Sequence, residues 1–201
     1  VRLFGLSEFA VRALSALLGT LTVAGTYLLA RGRLGRAGAP VAAWLAALAP
    51  LQVYYSQEAR MYIGVTLLGL LSMLAYDALL ARMANDPPRL WLWPALGYLV
   101  AASAAVYTHY FAFTLLAAQG LGVIFWLAGQ RPSAAWPRLA RRALLVWGTL
   151  FGLVLVIYLP WLRLTWRTVL GWPAVSAPFT LGEFATRLVR VFTQGITVRA
   201  N

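Results

Sequence analysis

Residues 13–30 read ALSALLGTLTVAGTYLLA, a stretch without a single charge, closed by Arg12 on one side and Arg31 on the other. About 20 mostly apolar residues cross a bilayer as one helix, and this segment meets that length. The pattern recurs outward from it. Further apolar runs cover residues 37–55, 61–81, 90–107, 111–128 and 143–162, with Asp77 the one charge inside the third run. The composition agrees: of 201 residues, 62% are hydrophobic and 11% charged, and the mean hydropathy is +0.75. A soluble domain carries roughly a quarter charged residues. Too few charges remain to cover a water-facing surface, so the expected class is an all-α polytopic integral membrane protein of about six spanning helices.

The charges fix an orientation. The net charge is +12, and all of the basic residues other than His109 are Arg. They form no stripe with interleaved aromatics of the kind that binds nucleic acid. Instead they alternate between loops. Arg31, Arg33 and Arg36 follow the first run, Arg82 and Arg89 the third, and Arg131, Arg138, Arg141 and Arg142 the fifth. Positive loops stay in the cytoplasm, so the links after the second and fourth runs are expected outside. Residues 1–162 are read as the transmembrane core. Residues 163–201 form a more polar tail, read as an outer-face loop or the start of a following region. The chain opens on Val1 and closes on TVRAN, from which a piece of a longer protein is expected. With no Cys, thiolate metal sites and disulfides are excluded.

The scarce polarity gathers on the outer links. LAPLQVYYSQEARMYIGV, residues 48–65, holds Ser56, Gln57, Glu58 and Arg60 among Tyr54, Tyr55 and Tyr62. If this segment continues helically into the third run, Tyr54, Tyr55, Glu58 and Tyr62 share one face. Glu58 and Arg60, two apart, then do not pair. Ionisable groups at membrane depth usually mark a pathway or site; the plainer alternative is snorkelling boundary residues. The second outer link, VYTHYFAF, carries His109, the only His, between Tyr107 and Tyr110. One His cannot build a metal site, so the residues do not indicate a divalent metal, although the chemistry leaves room for one. Asp77 reads as an interface residue, and Glu8 as part of a helix start capped by Ser7. The glycines inside the runs suit close helix packing in lipid. Dinucleotide, P-loop, nucleophile-elbow and zinc-protease motifs are missing.

These residues carry a resemblance. LFGLSEFAVRALSALLGTLTVAGTYLLARGRLGR, then LAPLQVYYSQEARMY and YTHYF, resemble membrane glycosyltransferases of the GT-C superfamily. The nearest are glycosyltransferase families 39 and 83, which include protein mannosyltransferases, lipid A aminoarabinose transferases and lipopolysaccharide sugar transferases of the cell envelope. The resemblance implies a multi-pass enzyme of the cytoplasmic (inner) membrane with outer-face juxtamembrane segments and its active site facing outside. It implies transfer of a sugar from a polyprenyl-phosphate carrier to a glycan, lipid or protein acceptor, with the lipid-linked sugar as co-substrate and no other cofactor. Membrane lipids are the other partners. In such enzymes the catalytic carboxylate is an Asp in the first outer loop, ahead of an HPPLYY-like stretch that this chain does not contain. The expectations are that the base lies upstream, that Glu58 is the weaker candidate, and that this chain alone is inactive.

The chemistry of the residues agrees with that reading. A phosphate leaving group needs positive donors, and Arg matches phosphate geometry best, so Arg60 and His109 are the candidates for the donor phosphate. Gln57, Glu58, Tyr62, Tyr55 and Tyr110 are the candidates for sugar or acceptor contacts. A transporter or flippase could use the same polar cluster as a solute cavity. It should show repeated halves with matching broken helices, and no internal repeat is visible.

Overall fold

In the computed structural model the described residues are 8–85, 87–130, 136–171 and 180–194. They form α1 (Glu8–Leu48), α2 (Pro50–Gln57), α3 (Tyr62–Asn85), a short 3-10 turn (Pro88–Leu90), α4 (Leu92–Thr108), α5 (Ala112–Gly129), α6 (Trp136–Leu170) and α7 (Leu181–Gln194). No strand occurs among the described residues. Five segments are long and apolar enough to cross a membrane: Arg12–Leu48, Tyr62–Asn85, Pro88–Thr108, Ala112–Gly129 and Trp136–Thr168. The protein is an all-α polytopic membrane protein. Leu14, Val100, Phe125, Leu144 and Leu155 are exposed, as side chains solvated by lipid tails should be.

The first two runs meet inside α1. Gly35 has φ 75° and ψ −173°, a conformation essentially open only to glycine. It stands between Arg33 and Arg36 and divides α1 into limbs 8–34 and 36–48. The second limb returns along the first. Gln52 Nε2 donates to the Gly19 carbonyl at 3.0 Å, while Thr22 and Thr26 line one cavity with Ala46 and Ala49. Partner numbers fall as numbers in the first limb rise, which is the signature of an antiparallel hairpin. Gly19 permits the approach: a Cβ there would stand 2.6 Å from Ser56 Cβ. Pro40 lies inside the second limb, just past its first four partnerless amides, so its missing N–H forgoes one helical hydrogen bond there. That limb stops at Leu48 because Ala49, ahead of Pro50, is extended (φ −62°, ψ 124°). A residue before proline is disfavoured in the helical region.

The remaining runs appear as α3 to α6, with α6 longer at both ends than the apolar run 143–162. Arg138, Arg141 and Arg142 are good helix formers that lengthen it without being apolar. The chain divides into two compact units, Val1–Leu67 with Thr165–Asn201, and Leu68–Leu164. The second has a polar thread in its core. Tyr98 Oη donates to Gln119 Oε1 at 2.9 Å, Gln119 Nε2 to Ser72 Oγ at 3.0 Å, and Ser72 Oγ to the Gly69 carbonyl at 2.7 Å. Trp147 meets Tyr98 edge-on, with centroids 5.1 Å apart, and lies 4.9 Å from Tyr76. Lipid removes the hydrophobic drive between helices, so such packing and bonds carry association, each bond adding about 0.6 kcal/mol.

Candidate functional site

The polar cluster after α2 is not a continuous helix. α2 stops at Gln57, Glu58 is extended (φ −96°, ψ 133°), and residues 58–61 bend before α3 begins at Tyr62. The helical face expected for Tyr54, Tyr55, Glu58 and Tyr62 therefore does not form. Nor are Glu58 and Arg60 apart. The Arg60 amide donates to the Glu58 carbonyl at 2.9 Å, closing a tight turn. Outside a helix, residues two apart can face the same way, and Arg60 Nε lies 3.2 Å from Glu58 Oε1. The guanidinium remains largely exposed, while the Glu58 side chain is 24% exposed. Tyr54 Oη reaches the same Oε1 at 3.5 Å, the outer limit of a hydrogen bond. Glu58 Oε2 is buried with no hydrogen-bond partner.

The tyrosines pack on one another across the bend. The Tyr55 ring lies 5.2 Å from Tyr54 and 4.7 Å from Tyr62. Burial, followed by Tyr62, Glu58 and Tyr54, pushes the Tyr55 phenol above its ordinary value, against the opposing charge of Arg60. Beneath Tyr55 is a cavity of about 340 Å³ whose wall includes Thr22, Thr26, Gln52, Thr66 and Phe192. Thr22, Thr26 and Thr66 each donate at 2.8 Å to the carbonyl four residues earlier. Their lone pairs remain as acceptors. A second cavity of about 320 Å³ holds Gln57 and Ser56 with Phe9 and Arg12 of α1. Tyr55 and Gln57, one cluster in sequence, thus line different cavities of the same unit.

His109 belongs to the other unit, so its surroundings are described separately from those of Arg60. α4 ends at Thr108 and His109 is extended (φ −157°, ψ 127°), its amide donating to the Ala105 carbonyl. Nδ1 accepts from the Phe111 amide at 3.2 Å, which puts the proton of the neutral ring on Nε2. The ring stacks on Tyr110 at 4.9 Å and Phe111 at 5.2 Å. Tyr110 is exposed, and the neighbouring Tyr107 Oη donates to the Ile157 carbonyl at 2.7 Å.

Sequence reading passed over Arg12, Thr22, Thr26, Gln52 and Thr66. Two signals were present: hydroxyls four apart at 22 and 26 inside an apolar run, and an amide at Gln52 amid apolar neighbours. Ser7, proposed as a helix cap, lies outside the described residues; α1 is helical from Glu8. Asp77 sits half-buried in α3. Among the described residues no three of His, Cys, Asp and Glu cluster as metal ligands.

Five segments long and apolar enough to span a membrane, with no strand among the described residues, define the class as a polytopic all-α membrane protein. Residues 1–162 match the family described as dolichyl-phosphate-mannose-protein mannosyltransferase. The chain belongs to that family, which makes it a membrane glycosyltransferase of the GT-C type. No curated protein and no solved structure matches it.

Proposed function

We propose that the protein takes a sugar from a polyprenyl-phosphate carrier and delivers it to a glycan, lipid or protein acceptor at the outer face of the cytoplasmic membrane. The observation that carries this is Glu58: one carboxylate oxygen is held by Arg60, and the other is buried with no partner, next in the chain to Gln57, which lines a cavity with Ser56 and Arg12. A buried oxygen without a donor is costly, and a substrate hydroxyl supplies one. The bond from the anomeric carbon to the phosphate oxygen breaks as the acceptor oxygen bonds that carbon. The carrier phosphate leaves with negative charge, and the acceptor proton passes to a base. Arg60 uses Nε on Glu58 and offers its outer nitrogens to the phosphate. Gln57, Tyr55 and Tyr62 contact the sugar or acceptor. The resembled enzymes use a loop Asp as base. Of the four carboxylates in described segments, Glu58 is ion-paired, Glu183 caps a helix, Glu8 opens α1 and Asp77 lies within α3, so this chain alone is expected to bind donor without turnover.

The test is donor capture by a photoreactive polyprenyl-phosphate sugar in membranes containing the protein. Crosslinks are expected within residues 54–62. Removing one partner of a desolvated charged contact costs several kcal/mol, so Arg60→Ala should weaken capture about a hundredfold. Arg60→Lys, keeping the charge without the planar fork, should also lose most of it. Unchanged capture in both variants would return Arg60 to a boundary role. Solute uptake without donor capture would favour a transporter.

A further inference from the structure

α7 divides cleanly into two faces. At 100° per residue, Leu181, Phe184, Ala185, Leu188, Val189, Val191 and Phe192 occupy one arc. Gly182, Glu183, Thr186, Arg187, Arg190, Thr193 and Gln194 occupy the other. No polar residue interrupts the apolar arc. The start of the helix is self-sufficient: the Thr180 amide donates to Glu183 Oε2 at 2.8 Å and the Glu183 amide to Thr180 Oγ1 at 3.3 Å, a reciprocal capping box. Yet the apolar arc is largely uncovered. Leu181 is 87% exposed, Val189 61% and Phe192 62%.

We propose that α7 lies in the plane of the membrane surface, its apolar arc in the headgroup–acyl boundary and Arg187 and Arg190 toward lipid phosphates. Three observations favour a bilayer over a protein partner. First, α7 packs on α2, the short helix between the spanning segments Arg12–Leu48 and Tyr62–Asn85, and so lies where spans end. Second, α6 closes with Trp161, Arg163, Trp166 and Arg167, the aromatic and basic pairing of a membrane boundary. Only residues 171–180 separate α6 from α7, a reach of at most about 40 Å. Third, a short helix with one clean apolar face and basic residues opposite is the pattern that partitions into an interface. Docked there, α7 holds Phe192 in the wall of the Thr22–Thr26 cavity. The inference does not depend on the sugar-transfer reading.

The chain has no Cys, so single nitroxide labels are clean. The full chain would be reconstituted in phosphatidylcholine vesicles, with or without phosphatidylglycerol, carrying a label at Phe184→Cys, Leu188→Cys, Thr186→Cys or Thr193→Cys. The expected result is high collision with dissolved oxygen at 184 and 188, and high collision with a water-soluble nickel chelate at 186 and 193. In vesicles with phosphatidylglycerol, Arg187→Gln or Arg190→Gln should each lower the docked-to-free ratio about fivefold. Nickel access at all four sites would overturn the proposal, as would exclusion of both reagents from 184 and 188, which marks a protein cover. Spin–spin broadening that grows with protein density would assign the face to a second copy. No effect of either Arg substitution would remove the phosphate contacts. Two sites on each face keep one poorly folded variant from deciding the result.

Discussion

Glu58 has two oxygens in unlike circumstances, one against Arg60 at 3.2 Å and one buried without a partner. If the second accepts a substrate hydroxyl, Glu58→Gln keeps the shape and loses the charge. A hydrogen bond to a charged group is worth about 1.5–3 kcal/mol. Donor affinity in the capture assay should therefore fall about tenfold to a hundredfold, with any turnover otherwise retained. Loss of turnover by about a hundredfold to ten-thousandfold at unchanged affinity would instead make Glu58 the base. Tyr55 gives a pH prediction. Its phenol is raised by burial and by Tyr62, Glu58 and Tyr54, so the folded state holds the proton more tightly than the unfolded chain. The resulting stability is complete below the ordinary tyrosine value and disappears as pH rises through the raised one. In an ultraviolet titration, the phenolate missing from Tyr55→Phe should belong to the late part of the curve; a loss from its early part contradicts the assignment.

At the scale of elements, Gly35 and the α7 cap decide local structure. Gly35→Ala meets no atom within 4 Å, so its cost is backbone strain alone, about 1–3 kcal/mol. Reversible unfolding in mixed micelles should show it, while Gly32→Ala, equally uncrowded and without positive φ, should be neutral or stabilising. Equal effects would remove the turn from position 35. In α7 the Thr180 amide and hydroxyl hold the Glu183 carboxyl below its ordinary value. That support is complete above the ordinary carboxylate value and is lost as pH falls through the depressed one. Protection of the amides at the start of α7, measured against their intrinsic exchange rate at each pH, should fall on acidification in wild type and be low throughout in Thr180→Ala. The long runs were legible because length and hydropathy suffice to mark a span. The hairpin's Arg-flanked turn was legible as a loop, though not as one glycine. The break at 58–61 was not legible: Glu, Ala, Arg and Met all favour helix, and no Gly or Pro marks it. α7 was passed over because the tail was judged by overall polarity, although Thr180 and Glu183 stand at capping-box spacing before a 3.6-residue apolar pattern.

For the whole molecule, the site residues were legible as a list but not as an arrangement. Sequence grouped Tyr55 with Gln57 and kept Glu58 from Arg60, whereas folding separates the first pair into two cavities and joins the second. Tyr55 and Gln57 are two apart within α2, so the helix turns them to different sides; the register ends at Glu58, which lets Glu58 meet Arg60. The transferase reading requires the polar clusters at Glu58–Arg60 and at His109 to open outside, away from the Arg-rich loops. The most direct measurement is labelling of single-Cys variants in intact cells with a membrane-impermeant thiol reagent. Gln57, Tyr110, Gly32 and Gly129 are all exposed, and the positive-inside pattern assigns the first two outside and the last two inside. Labelling of Gln57→Cys and Tyr110→Cys, with Gly32→Cys and Gly129→Cys reacting only after the cells are opened, is the predicted result. Labelling of Gly32→Cys and Gly129→Cys in intact cells, with Gln57→Cys silent, would place the polar clusters in the cytoplasm and contradict transfer at the outer face.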